Sequence, residues 1–166
     1  MFILSLLIPW LPALSAFLAV ILQELALPWQ AWIIFRPDFL LVSLFYWRLY
    51  RPDRLGFMLA FASGLFVDLL SQAPVGLNAL SKTLLLYAID RFAPRLRSGD
   101  FLIILPAVLL LAGLDQLMQL GLVLLFHDLP PRWELLFGRP LGTMLLAPLW
   151  IAALIHVHQN WLEDHE

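Results

Sequence analysis

The stretch of sequence that decides the fold is residues 101–126, FLIILPAVLLLAGLDQLMQLGLVLLF. A helix needs about 20 predominantly apolar residues to cross the hydrocarbon core of a bilayer. This stretch is longer than that, and Asp115 is its one charged side chain. Its continuously apolar runs at 102–105 and 109–111 lack the period-two alternation of a membrane β-barrel strand. We therefore predict a transmembrane helix here.

The composition of the whole chain supports the same class of protein. Of its 166 residues, 62% are hydrophobic and 13% are charged, and the mean hydropathy is +0.87. A soluble domain is about 45–50% apolar and about 25% charged, and a disordered chain is more charged still. The net charge of -2 is too small to imply nucleic acid as a partner, and no basic cluster is present to follow a phosphate backbone, so we expect none. The absence of cysteine excludes disulfides, thiolate metal sites and thiol nucleophiles.

Working outward from residues 101–126, we predict an all-α, polytopic membrane protein that forms a single integral membrane domain over residues 1–166. Two of the breaks between spans, at 51–54 and 71–74, contain a proline that cannot extend a helix. A five-span arrangement, with 35–50 re-entrant, is the alternative. The six spans, joined by short loops, are residues 6–27, 35–50, 55–70, 75–92, 101–126 and 135–157.

The arginines predict the orientation of these spans. Six arginines fall in the loops around 48–54 and 91–97, which lie on one side if there are six spans. The other side has three, Arg36, Arg132 and Arg139. Because cytoplasmic loops carry the excess of basic residues, both termini are predicted to be cytoplasmic.

Three ionisable residues lie inside predicted spans, namely Asp68, Lys82 and Asp115. Each such residue costs about 2.5–3.5 kcal/mol on insertion scales, so it needs a partner or a function. A rise of about 1.5 Å per residue places all three in the outer half of the membrane. We expect Lys82 to pair with Asp68 or Asp115. A structural ion pair is the favoured interpretation, and a binding site or proton relay is the alternative.

Polar amides extend this group into a predicted intramembrane polar core. Gln116 and Gln119 form a stripe with Asp115, and Asn78 lies one helical turn from Lys82. Such side chains are expected to face other helices and not lipid. They either hold helices together or contact a solute. The six residues of this core are Asp68, Asn78, Lys82, Asp115, Gln116 and Gln119.

Small residues predict where helices approach each other closely. Small side chains four residues apart allow backbones to meet, and packing within this chain is favoured over docking of a foreign helix. The pairs with this spacing are Ser15 and Ala19, Ala60 and Gly64, and Gly138 and Gly142.

The sequence offers no complete catalytic motif. No G-x-S-x-G surrounds Ser63, H-E-x-x-H is absent, and His156 and His158 point to nearly opposite helix faces. Asp68 and Asp115 lack the glycine and tyrosine context that intramembrane aspartyl proteases usually have. We therefore expect no enzymatic activity, no cofactor and no metal.

Several motifs together resemble one family. Phe35-Arg36-Pro37-Asp38 enters the second span, Gly64-xxx-Asp68 lies in the third, and Gly76-Leu77-xx-Leu80 leads into the fourth. Their order and spacing resemble MreD, the rod shape-determining membrane protein family of bacteria, over residues 6–158. The uncharged N-terminus and the acidic tail at 163–166 depart from that pattern.

The resemblance implies a function that composition does not. MreD-like proteins belong to the inner-membrane machinery of cell-wall elongation, carry no enzymatic activity, and act with MreC, MreB, RodZ, RodA and a class B penicillin-binding transpeptidase. Their six-helix fold is similar to the S-components of energy-coupling-factor vitamin transporters. The loop residues that we expect to contact partners or membrane lipids are Arg36, Asp38, Arg51, Asp53 and Arg54.

Two functions therefore follow from the sequence. The first is a non-enzymatic scaffold that binds MreC and helps to control peptidoglycan synthesis and rod shape. The alternative is a small-solute or lipid-binding membrane module of the S-component type. The alternative requires an outward-facing pocket lined by Asp68, Lys82, Asp115 and Gln119, whereas a scaffold requires a sealed core.

Overall fold

Helices account for nearly all of the structure, a computed structural model that describes residues 10–25, 30–97, 101–126 and 133–162. Those ranges contain no strand, which confirms the prediction of an all-α protein. The seven helices of the described residues are α1 (Leu11–Glu24), α2 (Gln30–Phe35), α3 (Phe39–Tyr50), α4 (Phe57–Ser71), α5 (Leu77–Leu96), α6 (Phe101–Phe126) and α7 (Trp133–Leu162).

The second predicted span begins later than expected. Residues 35–50 are not one helix, because Phe35 ends α2 and α3 begins only at Phe39. Pro37 lies between them, and a proline disfavours helical geometry at the residue before it. Asp38 is the N-cap of α3, and its carboxylate accepts a hydrogen bond from the Leu41 amide at 2.8 Å.

The break between the third and fourth predicted spans is a tight turn. The chain leaves α4 through Gln72, which has a left-handed φ of 54°, and enters α5 through Gly76, which has a φ of 98°. A left-handed conformation strongly favours glycine, which is the residue at position 76. The turn makes α4 and α5 neighbours that run in opposite directions, as the sequence predicted from the proline at 74.

Helix α3 lies at the centre of the fold. It packs against α1, α5 and α7 and touches α6, and its side chains from Leu40 to Trp47 are buried. Around this centre, α4 lies beside α5 and α1, α2 lies beside α7, and α6 lies beside α5 and α7. Their outward faces carry exposed leucine, isoleucine and phenylalanine side chains.

Two helices of the described residues are long and apolar enough to cross a membrane, over Ile103–Leu125 and Trp133–Gln159. Helices α1 and α4 are apolar but shorter. The 12 residues of α3 extend for only about 18 Å, against a hydrocarbon core of about 30 Å. A short helix and an irregular entry are tolerated at membrane depth where protein surrounds them, as it does α3. The count of six spans stays a prediction.

Candidate functional site

Lys82 of α5 is the centre of the polar interior. Its side chain is completely buried, and its Nζ lies 2.5 Å from Asp38 Oδ2 and 2.6 Å from Asp115 Oδ2. One ammonium therefore joins the start of α3 to the middle of α6. Of the two pairings that the sequence left open, the structure contains the one with Asp115.

Hydrogen bonds continue from this ion pair across the fold. Gln119 Nε2 donates to Asp115 Oδ2 at 2.8 Å and to Asn78 Oδ1 at 3.1 Å, and Asn78 Nδ2 donates to Asp68 Oδ1 at 2.9 Å. We call this connected set the polar chain. It links α3, α4, α5 and α6, and its members are Asp38, Lys82, Asp115, Gln119, Asn78 and Asp68.

Asp68 does not meet Lys82, because its carboxylate is occupied at the start of α5. It accepts hydrogen bonds from the backbone amides of Gly76 and Asn78, both at 2.9 Å, and of Ala79 at 3.4 Å. The first amides of a helix have no partner inside that helix, and its positive dipole end favours an anion. Asp68 of α4 thus caps α5 from a neighbouring helix.

The predicted close-packing positions lie where backbones meet. A Cβ atom on Gly64 would fall 2.7 Å from Ala79 Cα, which explains how Asp68 comes within reach of the α5 amides. Ala60, one turn earlier, is fully buried. In α7, a Cβ on Gly138 or Gly142 would collide with the backbone of α2.

Asp38 was grouped with the surface loop residues, and the structure instead places it in the polar interior. Its carboxylate holds both Lys82 and the Leu41 amide, and its own amide donates to Thr143 Oγ1 at 2.9 Å. This role was not predicted, because Asp38 lies in the segment that enters the second span and was expected to be a loop contact. Its position as a potential N-cap was the available signal, since a capping carboxylate is held close to the helix axis.

A cavity of about 510 Å³ opens beside the polar chain. Of the six predicted core residues, Asn78, Gln116 and Gln119 line it, whereas the buried Asp68, Lys82 and Asp115 do not. The pocket that the solute-binding alternative requires is therefore not the one observed. The cavity is lined by Gln23, Arg36, Pro37, Asp38, Val67, Ser71, Ala73, Pro74, Leu77, Asn78, Gln116, Gln119, Leu120, Val123, Trp133, Leu135, Leu136 and Arg139.

Two arginines reach this cavity and differ in their partners. Arg36 Nη2 lies 2.8 Å from Glu24 Oε1, so α1 and the entry to α3 are joined by an ion pair. Arg139 of α7 has a buried Nε with no hydrogen-bond partner in the part of the chain that the structure describes. Asp115 Oδ1 is also buried, and it too has no hydrogen-bond partner among the described residues.

The opposite end of the fold carries the arginines around the α3–α4 loop. Arg48 makes a double ion-paired contact with Asp90, at 2.5 and 2.6 Å, and donates to the Pro52 and Leu55 carbonyl oxygens. These contacts hold the α3–α4 loop against α5. The predicted loop residues Arg51 and Arg54 flank Asp53 in this loop, at 4.0 and 3.7 Å, and the Asp53 side chain is 65% exposed.

The polar chain has the chemistry of a structural network. Its carboxylates are joined to lysine, amide and backbone donors, and Asp68 and Asp115 are separated by Asn78 and Gln119, so they do not form a facing dyad. Within residues 10–25, 30–97, 101–126 and 133–162, no group of three His, Cys, Asp or Glu side chains is placed to hold a metal ion.

Comparison with known families agrees with the motifs around the polar chain. The profile described as rod shape-determining protein MreD matches residues 5–129, which is more than half of the chain. The chain belongs to the MreD family. MreD proteins have a role in rod shape determination, and membership together with the apolar helices identifies a membrane protein. No solved structure matches the chain, and similarity to S-components stays a prediction.

Proposed function

We propose that the chain is a non-enzymatic, multi-pass scaffold of the bacterial inner membrane, which binds MreC and helps to control peptidoglycan synthesis during elongation. The observation that carries the proposal, beyond family membership, is how the interior charges are used. Three members of the polar chain, Asp38, Asn78 and Gln119, border the cavity. The other three, Lys82, Asp115 and Asp68, do not line it and instead join neighbouring helices. That is the construction of a rigid support.

The exposed parts of the described chain limit how it meets a partner. The loops at 51–56 and 72–76 are short, and apolar side chains cover the outward helix faces. A protein with a single membrane span, such as MreC, is expected to pack along one of these faces. Through MreC, the chain would join an assembly with MreB, RodZ, RodA and a class B penicillin-binding transpeptidase.

The distribution of arginines supports a topology with both termini in the cytoplasm. Arg48 and Arg97 bond to Asp90 and to the Leu49 carbonyl oxygen, so the basic α3–α4 loop and the end of α5 share one end of the fold. Arg36 and Arg139 lie at the cavity, at the other end. By the excess of basic residues, the first end faces the cytoplasm. Arg51, Asp53 and Arg54 would then meet lipid headgroups or a cytoplasmic partner there.

The test is co-purification, in mild detergent, of the chain expressed with MreC and alone, followed by mass spectrometry of both samples. A complex that survives size exclusion is expected. A lone chain that carries a specific water-soluble molecule and no MreC would overturn the scaffold in favour of the solute-binding alternative.

Cysteine cross-linking would then locate the interface, and the absence of native cysteine removes background. Single cysteines replace exposed residues on four helices: Leu18 of α1, Tyr87 of α5, Leu117 of α6 and Leu145 of α7. Each is paired with single cysteines along the span of MreC. We expect disulfides from one face only. The matched control is Ala147→Cys, which is buried on the same helix as Leu145. Equal cross-linking from all faces would indicate random collision.

A further inference from the structure

The side chain of Arg139 holds one of the two buried side-chain atoms that have no hydrogen-bond partner in the described structure. A guanidinium has five N–H donors and no acceptor, and buried polar groups nearly always have a partner. Arg139 faces the cavity, its Nε is buried without a partner, and no ion pair reaches it from the described residues. A cavity lined by such a donor is built for an acceptor that comes from outside the chain.

We propose that this cavity binds the phosphodiester headgroup of an anionic phospholipid, with Arg139 as its main ligand. A guanidinium recognises a phosphate through two parallel N–H···O bonds, which a neutral donor cannot do. Arg36 lines the same cavity, and its bond to Glu24 engages one Nη atom, which leaves other donors of its guanidinium for the headgroup.

The charges around the cavity favour a singly charged anion. Glu24 and Arg36 neutralise each other, whereas Lys82 neutralises only one of its two carboxylates. The remaining negative charge behind the cavity balances the positive charge of Arg139, so the charges sum to zero and nothing offsets the second negative charge of a dianion such as a phosphate monoester. A phosphodiester carries one charge and is accepted more easily. The six charged groups concerned are Glu24, Arg36, Asp38, Lys82, Asp115 and Arg139.

The walls of the cavity match the rest of a lipid headgroup. Gln116 has no hydrogen bond to the described residues and can bond the hydroxyls of a glycerol headgroup. Leu120, Val123 and Leu136 provide an apolar wall, and Trp133, which is 60% exposed, lies where indole rings favour the membrane interface. A volume of about 510 Å³ accommodates a headgroup but not two acyl chains, which would lie along the apolar outer faces.

The inference is independent of the scaffold proposal, because it concerns the chain alone. The test places the purified chain in nanodiscs that contain equal amounts of phosphatidylglycerol and phosphatidylcholine. Native mass spectrometry then measures which lipid stays bound to the chain after the chain is released from the nanodisc. We expect one phosphatidylglycerol per chain, and Arg139→Gln to reduce that retention at least tenfold. Arg139→Lys, which keeps the charge but not the paired donors, should have an intermediate effect.

The matched control is Arg91→Gln, which removes the same charge from an exposed position at the other end of the fold. It should retain the lipid as well as the unmodified chain does. Equal loss in both variants, or no preference for phosphatidylglycerol, would overturn the proposal. So would equal retention of glycerophosphoglycerol, the headgroup without acyl chains, because the ligand would then be a soluble anion. If Arg139→Gln does not fold, Gln116→Leu decides: a preference reduced about threefold supports the site, and an unchanged preference refutes it.

Discussion

Removing the ammonium of Lys82 is the sharpest test of the polar chain. Lys82→Met keeps most of the side-chain volume but leaves Asp38 and Asp115 without their shared counter-ion. The Asp115 side chain is 1% exposed, so water cannot replace the lost partner there. Removing one partner of a buried ion pair costs about 3–5 kcal/mol. That is a large share of a typical unfolding free energy of about 5–15 kcal/mol.

A second variant separates pairing from packing. In Lys82→Met with Asp115→Leu, the buried pair becomes two apolar side chains, an exchange that is often neutral or stabilising. Asp38 is left, but it borders the cavity and still caps α3 through the Leu41 amide. We expect the double variant to recover at least about 2 kcal/mol of the loss. A charge reversal between positions 82 and 115 is a poorer test, because it would place a new carboxylate beside Asp38.

The assay is reversible unfolding in mixed micelles, with increasing sodium dodecyl sulfate and helix content followed by circular dichroism. Leu84→Met is the matched control, since Leu84 is half exposed on the same helix, and it should change the unfolding free energy by less than about 0.5 kcal/mol. The reasoning is refuted if Lys82→Met behaves like this control. It is also refuted if the double variant is no more stable than the single one.

Three further predictions use the same preparation. Gly64→Val should lower the free energy of unfolding by at least about 2 kcal/mol, because its Cβ would lie 2.7 Å from α5 backbone atoms. The control Gly113→Ala has open space around it and should raise that free energy by up to about 1 kcal/mol. Similar effects at both positions would contradict the close approach of α4 and α5. Asp68→Asn should lower the free energy of unfolding by about 1–3 kcal/mol, since a neutral amide oxygen is a weaker acceptor for the α5 amides. An unchanged free energy of unfolding would argue against capping by Asp68. Arg48→Met should raise hydrogen exchange of the 51–56 amides about tenfold, because the loop carbonyls and Asp90 lose their donor; unchanged exchange would show that the loop is held otherwise.

The local features of the fold could be predicted because their causes are local. The breaks at Pro52 and Pro74 were predicted because proline lacks the N–H that continues a helix, and glycine at 64, 138 and 142 leaves space for a neighbouring backbone. The start of α3 at Phe39, and not at residue 35, has a local cause as well. Pro37 disfavours helical geometry at the residue before it, so the helix begins only after the proline.

The sequence by itself determined that this is a membrane protein, since most of its side chains are apolar and must face lipid or other parts of the protein and not water. It also determined that Asp68, Lys82 and Asp115 need partners, because a buried charge is costly anywhere. Only the tertiary structure decided which partners these are. Lys82 lies 44 residues from Asp38 and 33 from Asp115, and Asp68 bonds to helix α5 and not to the lysine within it. Which charges meet depends on how helices distant in sequence pack, and neither composition nor spacing records that.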